Sequence, residues 1–328
     1  MYILALAALV IPPPMHTAPA KVTDLVLAKP IACTIGQDCL IQQYFDHDGG
    51  PGASDYTCGT ASYNGLDGTE FRLPDKTAQA RGVAVLAAAD GVVTALRDGE
   101  ADFAAGAFND KLVKGKECGN GVVLRHANGW ETQYCHMRQG SVAVHIGQAV
   151  QTGDTLGLVG QSGESSFINL HFAVRRDGER IDPFGPDAAC HDGADLSASL
   201  WRPQDRAELA WRDAETLNMG FANRVVSTVE IEDGGIAPPD TSSPGLVVYA
   251  RAINLHKGDV LALVLRGPDG ELSRQETLPL DHNKAQYVMS VGKTLTTKAW
   301  IAGDYHGTFA VIRGDRTIFT RTVDLRLD

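Results

Sequence analysis

The sequence predicts an all-β protein in two parts, an antiparallel β domain followed by a β-sandwich. Three observations carry this expectation. Short runs of alternating apolar and polar residues recur along the chain, as half-buried strands require. Hairpin signals punctuate them at Ala127-Asn128-Gly129, Pro268-Asp269-Gly270 and Gly314-Asp315. The chain of 328 residues is also long enough for two separate cores.

From the N-terminus, the apolar stretch from Met1 to Ile11 is followed by Ala18-Pro19-Ala20, an A-x-A cleavage pattern. Residues 1–20 therefore read as a signal peptide, although its leading region carries no Lys or Arg, and the protein is expected to be periplasmic or secreted. That stretch is too short to span a bilayer, and no later one is a candidate, so an integral membrane protein is not expected.

Residues 21–60 form a Cys-containing, Gly-rich lead-in. Its Asp46-His47-Asp48-Gly49-Gly50-Pro51-Gly52 reads as a polar turn, with His47 the best local source of an additional metal ligand.

Residues 61–187 carry the first set of strands. Gly82 to Val93 reads as a strand, an Asp90-Gly91 turn and another strand, and Gly121 to His126 pairs with Trp130 to His136 through Asn128-Gly129. In Asn169-Leu170-His171-Phe172-Ala173-Val174-Arg175, alternation puts Leu170, Phe172 and Val174 on one face and Asn169, His171 and Ala173 on the other. The first face is core, so His171 looks into whatever cleft the sheet lines. A lone strand histidine is in general a satisfied, half-buried residue. Its surroundings here point further.

Residues 188–222 read as a connector with a short helix begun at Pro203, which Trp201 and Trp211 pack onto a domain. From residue 223 to 328, predicted strands at Arg224 to Ile231, Gly245 to Ala252, Asp259 to Arg266, Gln286 to Val291, Gly303 to Arg313 and Arg316 to Leu325 suggest an immunoglobulin-like sandwich. Nothing in it carries catalysis.

The balance of 29 basic against 40 acidic residues gives a net charge of -11, which argues against nucleic acid or an anionic membrane surface as partner. Six cysteines at 33, 39, 58, 118, 135 and 190 behind an export signal favour disulfides. Cys118 and Cys135 flank a hairpin and are expected to pair. Elimination suggests Cys39 with Cys58 and Cys33 with Cys190, a connectivity the sequence leaves open.

The order of these elements, with Tyr63-Asn64-Gly65-Leu66-Asp67-Gly68-Thr69-Glu70-Phe71, Gly119-Asn120-Gly121-Val122-Val123, Gly153 to Gly157, Val159 to Gly163 and the His171 strand, resembles the lysostaphin-type (LytM-like) zinc endopeptidases, which cut peptides of bacterial peptidoglycan. The resemblance covers about residues 60 to 185 and implies a peptidase-like antiparallel β domain. In that family zinc is held by the His and Asp of an H-x-x-x-D motif and the second His of H-x-H. The first His of H-x-H and a strand-end His serve catalysis.

Carried over, the third ligand falls on His171 and the catalytic strand-end residue on His136. Three positions depart: Leu66 stands at the first ligand, Glu70 at the carboxylate ligand and Asn169 at the first His of H-x-H. Moving the motif to Tyr63 and Asp67 keeps an Asp but breaks the Gly-Thr-Glu-Phe match. Asp67 is also expected to point away from the site by alternation.

Leucine has no lone pair to donate, and catalytic zinc normally has three protein ligands. Asn169 cannot exchange a proton near neutral pH, so it cannot replace a general base that contributes roughly 10²- to 10⁴-fold. The metal set Glu70 and His171 is thus incomplete, no cofactor is expected, and zinc would be present only in an active enzyme. The departures favour a binding domain in which Asn169, His136 and His171 contact peptidoglycan, or one that meets a cell-wall hydrolase. The alternatives are an active zinc metalloendopeptidase assisted by His136 and a structural envelope protein.

Overall fold

The computed structural model describes residues 25–103, 113–186, 189–190, 193 and 195–328; the expected signal peptide lies outside the described residues. The first unit is built on an eight-stranded antiparallel sheet comprising β1 (Leu40–Gln43), β2 (Thr69–Arg72), β4 (Gly91–Arg97), β5 (Asn120–Arg125), β6 (Trp130–Met137), β7 (Ala149–Val150), β9 (Asn169–Arg176) and β10 (Glu179–Ile181). Its order is β1-β2-β9-β6-β5-β4-β7, with β10 also on β9. A two-stranded sheet, β3 (Ala84–Leu86) with β8 (Thr155–Leu158), lies beside it. Helix α1 (Lys76–Arg81) is capped by the Asp75 side chain, which accepts from the Ala78 amide.

Strand β9 is central, between β2 and β6, and its Leu170, Phe172 and Val174 are completely buried, as alternation requires. Asn128 and Gly129 both have positive φ, the conformation a tight hairpin between β5 and β6 demands. The lead-in is not separate from the sheet, because β1 pairs with β2 as its edge strand.

Helix α2 (Pro203–Leu209) starts at the proline, and Trp201 beside it is fully buried against Phe172 and Phe184. The residues read as connector also contain β11 (Glu215–Ala222), which pairs with β12 (Gly245–Leu255). Conversely, the predicted strand at 224–231 is replaced by helix α3 (Thr228–Asp233), because Ser227 and Glu230 form a reciprocal capping box that satisfies its first amides.

Strands β11, β12 and β15 (Lys284–Thr294) form one antiparallel sheet. A second consists of β13 (Val260–Gly267), β14 (Gly270–Glu276), β16 (Gly303–Arg313) and β17 (Arg316–Leu327), in the order β14-β13-β16-β17. Leu246, Val248 and Ala250 of the first sheet share a core with Leu261, Leu263 and Phe309 of the second.

Three disulfides link Cys33 to Cys39, Cys58 to Cys190 and Cys118 to Cys135. The hairpin pairing is as expected. The other two correct the elimination: the local turn at Thr34 to Asp38 brings Cys33 back to Cys39, leaving Cys58 for Cys190. Among the described residues no helix is long and apolar enough to cross a membrane.

Candidate functional site

An open cleft of about 650 Å³ lies over β2, β9 and β6, lined among others by Asp67, Glu70, Cys135, His136, Asn169 and His171. Strand register builds it. Glu70 of β2 lies opposite His171 of β9, Arg72 opposite Asn169, and Cys135 of β6 opposite His171 on its other side. Cross-strand partners share a face, so Glu70, His171 and Cys135 converge without any contribution from loops.

His136 reaches the cleft differently. Alternation alone puts it on the Tyr134 side, which is core. Its backbone instead adopts a left-handed φ of 62°, interrupting the alternation, so that His136 borders the same cleft as Cys135. The imidazole rings of His136 and His171 lie 5.9 Å apart, edge to face. The Cys118–Cys135 disulfide and a hydrogen bond from the His136 amide to the Cys118 carbonyl hold this turn.

The polar groups form a chain. The Ser165 hydroxyl lies 2.6 Å from both Asn169 Oδ1 and the Phe167 carbonyl, and Asn169 Nδ2 donates to Glu70 Oε2. Glu70 Oε1 sits 2.9 Å from His171 Nδ1, and His171 Nε2 sits 3.2 Å from Asp67 Oδ1. Asp67 continues to Arg180 Nε at 3.2 Å.

Asp67 is the residue that sequence reasoning placed wrongly. Strand β2 begins only at Thr69, so the backbone at 67 is not bound by strand alternation and its carboxylate turns into the site. Gly68 permits this approach: a Cβ there would lie 2.8 Å from His171 Nε2. A signal was present in the sequence, since the Asn64-Gly65 turn just upstream makes a regular strand at 67 unsafe to assume.

Burial by itself lowers the pKa of His171, but the Glu70 and Asp67 carboxylates outweigh it and lift the group to about 9. At neutral pH His171 is an imidazolium between two carboxylates. The hydrogen bond from His171 holds Asp67 below the usual carboxylate range, against the opposing effect of burial. Burial pushes His136 down to about 4, so it is neutral. Its Nδ1 lies 2.8 Å from the Ser162 carbonyl, which can only accept, so the proton sits on Nδ1 and Nε2 keeps its lone pair.

Glu70, His136 and His171 each place one donor atom within 4.8 Å of the others. Leu66 is 2% exposed and does not line the cleft. His47 does not supply a further ligand either: it is buried in a pair with Asp182, 2.7 Å from Nε2 to Oδ2, and lies outside the cleft lining. The Asp46 carboxylate organises that turn instead, accepting from the amides of Asp48, Ser54 and Gly65.

Residues 68–183 match the model of Peptidase family M23. DD-carboxypeptidase/endopeptidase Mpg of Neisseria meningitidis is 34% identical over 105 residues, which are 31% of this chain and 20% of that protein. Cell division protein DipM of Caulobacter vibrioides is 32% identical over 117 residues, 36% of this chain and 15% of that protein. The chain thus spans a fifth or less of the length of these relatives. Among solved structures, a zinc-containing peptidase from Vibrio cholerae is 24% identical, with 48% of this chain and 36% of that one covered and a TM-score of 0.30. The catalytic domain of lysostaphin from Staphylococcus simulans is 19% identical, with 43% and 85% covered and a TM-score of 0.26.

Proposed function

We propose that the peptidase family M23 domain at residues 68–183 binds peptide segments of peptidoglycan in its cleft without hydrolysing them, in a periplasmic or secreted protein. The observation that carries this reading is the closed polar chain from Ser165 through Asn169, Glu70 and His171 to Asp67. Both Glu70 oxygens already accept hydrogen bonds, and both His171 nitrogens face carboxylates.

These residues do not fit a catalytic zinc of the lysostaphin type. Leu66 has no donor atom, and a metal would have to displace the proton that the two carboxylates hold on His171. The network offers a binding surface instead. His136 presents an acceptor nitrogen, and the exposed rim residues Glu164 and Ser166 add further polar groups along the cleft. An extended peptide, whose amides supply both donors and acceptors, suits such a lining. The relative named as a DD-carboxypeptidase/endopeptidase supports a peptide as the ligand class.

A second reading rests on one specific observation, the three donors of Glu70, His136 and His171 within 4.8 Å of one another. In it, His136 replaces the missing first ligand and the domain is an active zinc metalloendopeptidase. The deciding experiment incubates the full chain with isolated peptidoglycan. Co-sedimentation without release of new amino groups is expected. Cleavage abolished by chelator and by His136→Ala would establish the second reading, and absence of both binding and cleavage would leave a wall hydrolase or a purely structural partner.

A further inference from the structure

We infer that Arg72 is a positioning residue for the cleft rim and that the second β unit holds it in place through Glu232. This rests on the reading of the cleft as the ligand site. Arg72 follows Glu70 by two residues on β2, so it shares that face of the sheet, one step further along from the Glu70–His171 pair. Its guanidinium stacks over the Phe167 ring, 4.3 Å from the centroid, and Phe167 lines the cleft.

What fixes Arg72 comes from elsewhere in the chain. Arg72 Nη1 donates to Gln42 Oε1 at 2.8 Å, and Nη2 lies 3.1 Å from Glu232 Oε2. Glu232 is carried by α3, and its same oxygen accepts from Arg251 of β12. Arg251 is fully buried, donates also to the Pro74 carbonyl just after β2, and is held at Nε by Asn218 Oδ1 at 2.8 Å. One buried carboxylate thus serves two buried guanidiniums, one from each unit.

A buried ion pair is weak evidence for stability, since its desolvation offsets its attraction, whereas a planar guanidinium clamped at several nitrogens has a fixed orientation. That fixed plane is what the Phe167 ring rests on. The rim segment 164–168 is further tied to β2 by the Leu73 amide, which donates to the Ile168 carbonyl at 2.9 Å. The second unit therefore braces Arg72 behind the rim, while the cleft lining itself comes from the first unit.

The test is hydrogen exchange on the full chain without ligand, so its outcome is independent of whether peptidoglycan binds. Glu232→Gln keeps shape but removes the charge, and should speed exchange of amides in 164–168 by about tenfold, the scale of one partly desolvated cation–π contact. Exchange in β16 and β17 should not change. Coupling is reciprocal, so Phe167→Leu should in turn speed exchange in α3. Acceleration confined to residues around α3 and β12 in Glu232→Gln, or to 164–168 in Phe167→Leu, would overturn the inference. If Glu232→Gln fails to fold, the Phe167→Leu arm decides alone.

Discussion

Glu70 and His171 face each other across the β2–β9 ladder with Oε1 and Nδ1 2.9 Å apart, while Asp67 closes on the other nitrogen of the same ring. A histidine held between two carboxylates is a cation by preference. That proton competes with a metal, which must displace it to bind the neutral ring.

Zinc content follows from this relationship. Protein purified without added metal should contain far less than one zinc per chain by elemental analysis, and micromolar zinc should leave its melting temperature unchanged. One tightly held zinc per chain, lost on His171→Ala, would refute the closed-network reading.

The two site histidines should give the protein a stability maximum near pH 6.5, the ordinary histidine value. The His171 pKa is raised to about 9, so its contribution is complete below the unfolded value and is lost as pH rises through about 9. His136 is depressed to about 4, so its contribution is complete above the unfolded value and is lost as pH falls toward about 4. Melting temperature against pH should flatten on the alkaline side in His171→Gln and on the acid side in His136→Gln. Unaltered limbs in both variants would show that other groups set the profile.

Disulfide mapping under non-reducing conditions should return Cys33 with Cys39, Cys58 with Cys190 and Cys118 with Cys135. Loop length ranks their effects. The separation of 17 residues between Cys118 and Cys135 corresponds to about 3 kcal/mol of stabilisation, and the 132 between Cys58 and Cys190 to about 5 kcal/mol, by chain entropy alone. Paired Cys→Ser variants compared by denaturant unfolding should follow that order. The Cys118 and Cys135 pair should additionally disturb the His136 imidazole resonance, since that bridge adjoins its left-handed turn.

Restoring the donors should restore the metal. Leu66→His, Glu70→Asp and Asn169→His together, with Asp67→Asn added to release His171 Nε2, should bind zinc measurably in a titration. The same set with Asp67 intact should bind it more weakly. Equal affinity for the two sets would mean that Asp67 does not compete with metal at this ring.

The β-rich architecture, the Asn128-Gly129 hairpin, the burial of Leu170, Phe172 and Val174, and the place of His171 on the cleft face were all legible in the sequence. Each depends on side-chain period or turn chemistry, which are local properties of the backbone. That Leu66 offers no lone pair was legible too, because side-chain chemistry needs no coordinates. Tertiary structure alone decided the rest. Asp67 enters the site because regular pairing starts two residues later, and His136 enters because a left-handed residue breaks its strand's alternation. The Cys58–Cys190 bridge and the Arg72–Glu232–Arg251 cluster join residues far apart in the chain. Such contacts depend on how packed elements meet, and periodicity within any one element is blind to that.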